Sequence, residues 1–160
     1  MNDTLNLATR LPLSVLVAGT MILSACGEGS TDPNEEDHAE EVEGVILVLS
    51  GQTIASYDGE TGRWTGELGV APGEETAHIA VRFVSHEGDP VSLDDDYYLE
   101  VQIANGSIAE FEQDTPGEFG GHLHGVAEGE TEVVFMLMHG ALGAGHADFV
   151  TAAVLVRVEP

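Results

Sequence analysis

The chain has 160 residues and a formal charge of −25, from 29 acidic side chains set against four arginines and no lysine. Such a field repels phosphate backbones and anionic lipid headgroups, which excludes nucleic acid as a partner and electrostatic adhesion to a membrane. A single cysteine excludes an internal disulfide framework.

The N-terminal segment reads as a targeting signal. Arg10 stands just ahead of the apolar run Leu11 to Ala25. Its 15 residues suit a signal-peptide core but fall short of the ~20 needed to span a bilayer. The run ends in Leu23-Ser24-Ala25-Cys26. This tetrapeptide resembles the lipobox of bacterial lipoproteins. The resemblance implies cleavage before Cys26 and a diacylglycerol on its sulfur, usually with a further acyl group on the new amino terminus. Lipidation would also consume the lone exported thiol. Stable retention takes two or more acyl chains, since one binds a bilayer only marginally. The expected location is the cell envelope, facing the periplasm or the exterior, with the membrane as a partner through lipid alone.

Residues 26–44 follow as an acidic tether rich in Gly, Ser and Pro, with almost nothing to bury. That composition predicts disorder, and its like charges extend it. His38, inside the tether, reads as solvated.

Residues 45–160 form the one expected domain, long enough to bury an ordinary core. Val45 to Leu49 is a short apolar run bounded by glycines, and Tyr57-Asp58-Gly59 and Ala71-Pro72-Gly73 are turn signals. Ala77 to Ser85 alternates, with Ile79, Val81 and Phe83 on one face and His78, Ala80 and Arg82 on the other. Tyr97 to Ala104 alternates likewise, and Thr131 to His139 and Phe149 to Val158 are further strands. Trp64, among glycines, is placed at an edge or in a loop. No window shows helical periodicity. About seven strands at such spacing predict an all-β, antiparallel sandwich.

The stretch Leu123-His-Gly-Val-Ala-Glu-Gly-Glu-Thr-Glu-Val-Val-Phe and the closing Ala-Val-Leu-Val-Arg-Val resemble the C-terminal half of bacterial Ig-like domains. The resemblance implies an Ig-like sandwich in which the Gly-Val-Ala turn joins strands E and F. The inter-sheet disulfide and core tryptophan of many Ig domains have no counterpart. A fold of this kind hosts adhesion, spacing and ligand binding alike.

Histidine carries the candidate chemistry. His122 and His124 are spaced i, i+2, so in a strand both imidazoles leave one face about 7 Å apart. His139 and His146 flank the glycine-rich loop 140–145, whose ends a hairpin would bring together. Asp148, two residues beyond His146, offers a carboxylate ligand or an acceptor that orients a histidine. These five residues form the candidate metal set, with zinc or copper as the expected ion. Met136 and Met138 stand close in sequence, and thioether ligation would favour Cu(I), but the better reading is that they fill the sheet face of strand F. Counting back from the turn at Glu128-Gly129-Glu130, His124 and His139 lie about 16 Å out of step along their strands. One site therefore needs a bend; otherwise there are two partial sites, and His78 on the neighbouring strand could join His122 and His124. His86 and the run Asp94 to Asp96 read as solvated turn residues, the latter without the spaced acids of a calcium loop.

No nucleophile elbow, free-thiol nucleophile, zinc-protease helix or phosphate-binding loop is present, so a non-catalytic role is expected. Two readings stay open: an anchored module that binds a transition metal, or a structural, adhesive or protein-interaction module, docking to another envelope protein, whose histidines are incidental. The lysine-free acidic surface also predicts adaptation to salt, where screening relieves self-repulsion.

Overall fold

The computed structural model describes residues 41–160. The expectations for the signal segment 1–25, for Cys26, for His38 and for all but the end of the tether lie outside the described residues.

The described residues are all β, in eleven strands: β1 (Gly44–Leu49), β2 (Gln52–Asp58), β3 (Arg63–Gly66), β4 (Leu68–Val70), β5 (Ile79–Val84), β6 (Tyr97–Ile103), β7 (Ala109–Glu112), β8 (Gly120–Gly125), β9 (Gly129–His139), β10 (His146–Val150) and β11 (Val154–Val158). The first sheet runs β3-β2-β1-β5-β8-β7. In the second, β9 pairs with β6 on one side and with β10 and then β11 on the other, and β4 flanks β11. Strands β1, β5, β8 and β7 thus take the A, B, E, D places of an immunoglobulin sandwich, and β6, β9 and β11 take C, F and G. The expected Ig-like arrangement is present, with β8 in one sheet and β9 in the other.

Three details depart from expectation. Eleven strands replace about seven, because the β2–β3 hairpin, short β4 and β10 are added to the Ig set. Their three to seven residues carry too little alternation to register in the sequence. The sandwich is not wholly antiparallel, since β4 lies parallel to β11. The expected single strand Phe149 to Val158 is broken at 151–153. Thr151 makes that break: its N–H donates to the Phe135 carbonyl at 3.0 Å, and its hydroxyl accepts the Phe135 N–H at 3.1 Å. A side chain there replaces one rung of the ladder and restarts the strand along the same edge of β9. The domain also begins earlier than residue 45. Val42 packs on the core and the Glu43 N–H donates to the Val84 carbonyl at 2.9 Å.

Alternation sets the core. Val133, Phe135 and Leu137 of β9 face Leu47, Ile79 and Leu123 of the first sheet, all at 1% exposure or less. Trp64 does lie on an edge strand, yet its ring sits 6.0 Å from Phe135 and its Nε1 donates to the Ala152 carbonyl at 2.7 Å. It clasps one sheet to the other. No Asp or Glu among the described residues is buried, so the charge is a surface property that leaves the apolar interior intact.

Candidate metal centre

Strand β9 outlasts the sandwich it crosses. Thr131, Val133, Phe135 and Leu137 alternate inward, and the same parity brings His139 to the inner side of the second sheet just where the core ends. Tyr97 pairs with His139 from β6, and His146 pairs with it from β10. Cross-strand partners project to one side, so three rings form a row across three strands. Tyr97 stacks on His139 with centroids 4.6 Å apart and planes at 15°, and His146 follows at 5.4 Å. The loop between the histidines is closed locally, since the Gly145 N–H donates to the Tyr98 hydroxyl at 3.3 Å and the Gly140 N–H to the Asp96 carbonyl at 2.8 Å.

Asp148 completes the group. The pairing of β10 with β9 slips between Ala147 and Phe149, and the bulged Asp148 has no rung of its own. A bulge re-aims a side chain, and here the carboxylate lies between the two imidazoles. Its Oδ1 is 2.9 Å from His146 Nε2 and its Oδ2 is 3.5 Å from His139 Nδ1. One ligand atom from each residue falls within 4.8 Å of the others, a spacing that small rotations close onto an ion held at ~2.0–2.1 Å. The Tyr97 phenol stands near the same carboxylate. Burial, and then the Asp148 charge, push its phenol above the ordinary value of 10.0. Tyr97 and Asp148 also wall a cleft of about 310 Å³ with Leu93 and Phe149.

Met136 and Met138 do not belong to this group. They occupy the opposite parity of β9, paired with Glu100 and Tyr98, and face the other side of the sheet from His139. The thioether preference for Cu(I) therefore has no geometric basis here.

His122 and His124 lie elsewhere, on the outer face of the first sheet. Leu123 between them is fully buried, which turns both imidazoles outward. The β8–β9 connection crosses from one sheet to the other, so no single site joins them to His139 and His146. Of the two arrangements compatible with the sequence, the molecule adopts the divided one. His78 does join them, its ring 5.4 Å from that of His122 in a T-shaped contact.

Carboxylates surround this second group. Glu75 reaches His122 Nδ1 at 3.0 Å with one oxygen and His124 Nε2 at 3.6 Å with the other. Asp114 lies 3.4 Å from His122 Nε2, Glu112 lies 3.3 Å from His124 Nε2, and Glu118 lies 3.9 Å from His78 Nε2. His122 Nδ1 also bonds the Thr76 carbonyl at 3.0 Å. That bond is the main reason the His122 pKa is raised above 6.5; burial opposes it, and Asp114 and Glu75 reinforce it. His86 pairs instead with Glu43 at 3.1 Å, away from both groups.

Tyr97, Glu75, Glu112, Asp114 and Glu118 are the participants that sequence reasoning missed. Tyr97 was findable, because it shares the inward parity of Leu99 at the start of β6. Asp114 and Glu118 lie in the turn between β7 and β8, where no periodicity operates and proximity arises only on folding.

No family model matches the chain, and no curated protein matches it. Among solved structures it is similar to the S-layer protein SbsC domains 4 and 5, at 18% identity and a TM-score of 0.42. The alignment covers 60% of this chain and 49% of that one, so the chain spans about half the length of that neighbour.

Proposed function

We propose that the protein is an envelope lipoprotein, anchored through Cys26, whose Ig-like domain binds a transition metal ion without catalysing a reaction. The observation that carries the reading is the convergence of His139, His146 and Asp148, with ligand atoms within 4.8 Å of one another on a strand pair and its bulge. Two imidazoles and one carboxylate form a donor set suited to Zn²⁺ or Cu²⁺. Tyr97 would serve as the outer partner, holding His139 by stacking beside Asp148, the kind of support that fixes ligand orientation. The lipobox-like Leu23-Ser24-Ala25-Cys26 supports the anchor, and a tether of about 18 residues would hold the domain within ~25 Å of the bilayer.

The test of metal binding is calorimetric titration of the full chain with ZnCl₂ and CuCl₂ after chelator treatment. Substituting His146→Ala is expected to remove one equivalent of bound ion. Unchanged binding in that variant sinks the metal reading. The anchor is tested separately by Cys26→Ser, which is expected to release the protein from the membrane fraction.

A further inference from the structure

We propose that the outer face of the first sheet carries a second, separate cation site, in which His78, His122, Asp114 and Glu118 take one divalent ion of zinc-like preference. The strongest support is the orientation of His122. Its Nδ1 bonds the Thr76 carbonyl at 3.0 Å, an acceptor that places the ring proton on that nitrogen in the neutral imidazole. The lone pair of Nε2 then faces Asp114 Oδ2 at 3.4 Å. Two electron-rich atoms so placed repel unless a positive charge lies between them. A carbonyl on the far nitrogen of an imidazole, with the near nitrogen free and aimed at a carboxylate, is the arrangement that orients metal-ligating histidines.

The other three side chains converge with one another beside His122. The ligand atoms of His78, Asp114 and Glu118 lie within 4.8 Å of one another, and the His78 ring stands against that of His122. Gly120 makes room for this. A Cβ there would come within 2.3 Å of His78 Cε1 and 2.7 Å of its Nε2, so the ring lies flush on the backbone of β8. The Glu118 carboxylate is held to the turn as well, since the Asp114 backbone N–H donates to its Oε1 at 2.6 Å. Two neutral imidazoles and two carboxylates balance a 2+ ion without residual charge. A proton on His122 serves Asp114 through Nε2 and Thr76 or Glu75 through Nδ1, but it leaves His78 and Glu118 at 3.9 Å, where a cation held by His78, Asp114 and Glu118 would draw them together. Imidazole nitrogen with carboxylate oxygen in a four-ligand set points to Zn²⁺ over Ca²⁺ or Mg²⁺, which prefer oxygen alone.

The experiment is zinc titration of the chelator-treated full chain by calorimetry near neutral pH, with CaCl₂ as the hard-cation control. The double variant His78→Ala/Asp114→Asn is expected to lose one zinc equivalent, and calcium is expected not to compete. Both side chains are substantially exposed, at 43% and 65%, so the fold should tolerate the change, and circular dichroism checks it. Should that variant fail to fold, Glu118→Gln is expected to weaken one zinc equivalent tenfold or more. An unaltered stoichiometry in the folded double variant overturns the proposal, as does unaltered affinity in Glu118→Gln. The site on β9 and β10 is scored independently by His146→Ala, so either can fail without the other.

Discussion

The two histidine groups differ in how their charges are composed. On β9 and β10, one carboxylate lies between two imidazoles, and a tyrosine ring stacks on one of them. On the face of the first sheet, carboxylates outnumber histidines, and each imidazole touches at least one of them. The first group is built from strand parity and a bulge, the second from a strand face and the turns around it. The comparison teaches that the same residue types gather two imidazoles about one carboxylate in one place and three imidazoles within a wider carboxylate network in the other. Backbone geometry decides which.

The sharpest way to break the comparison is to remove the shared carboxylate. Asp148→Ala is expected to weaken zinc at the hairpin by 100-fold or more, about 2.7 kcal/mol, while leaving the His78 group unaffected; two-site calorimetry reads both. Next in size are two glycines that make room for each group. A Cβ at Gly145 would meet the His139 carbonyl at 2.4 Å, and one at Gly120 would meet His78 and the Ile79 carbonyl. Each alanine substitution is expected to cost about 1–3 kcal/mol of stability by denaturant unfolding and to impair only its own group. Tyr97→Phe keeps the stack and deletes the hydroxyl near Asp148, and should weaken hairpin binding about tenfold.

A pH series sharpens the other side. The folded state raises the His122 pKa above 6.5, so it favours the protonated imidazole. With chelator present, its stabilising contribution is complete below about pH 6.5 and is lost as pH rises through the elevated value. The melting temperature of the wild type relative to His122→Gln should therefore narrow with rising pH. The smallest effect is global. Lowering salt from molar to millimolar should destabilise the domain as its unscreened acids repel, and a flat melting temperature would remove salt adaptation as the reason for the acidity.

Much of the fold was legible because burial imposes a period. The inward set Ile79, Val81 and Phe83, the C, F and G strands and the β8-to-β9 turn all follow from alternation and turn residues. Short edge strands such as β3 and β4 carry too few residues to show it, and the split at Thr151 depends on a hydroxyl bond that no pattern encodes. For the site, pairing across the hairpin was readable, since loop length fixes which residues face each other. The bulge at Asp148, the Tyr97 stack and the carboxylates from the 112–118 turn were not, because each arises from contacts between elements. The methionines fill a sheet face, as the strand pattern reads, because alternation places sequence neighbours on opposite sides.

Trp64 gives the molecule a built-in optical probe. It is the sole tryptophan, its indole is pinned to Ala152 between β10 and β11, and Tyr57 links it through ring contacts to Phe149, next to Asp148. Emission from a fixed, single indole should be quenched when Cu²⁺ occupies the hairpin and change little with Zn²⁺. Occupancy of one group can then be followed in the intact chain without any label.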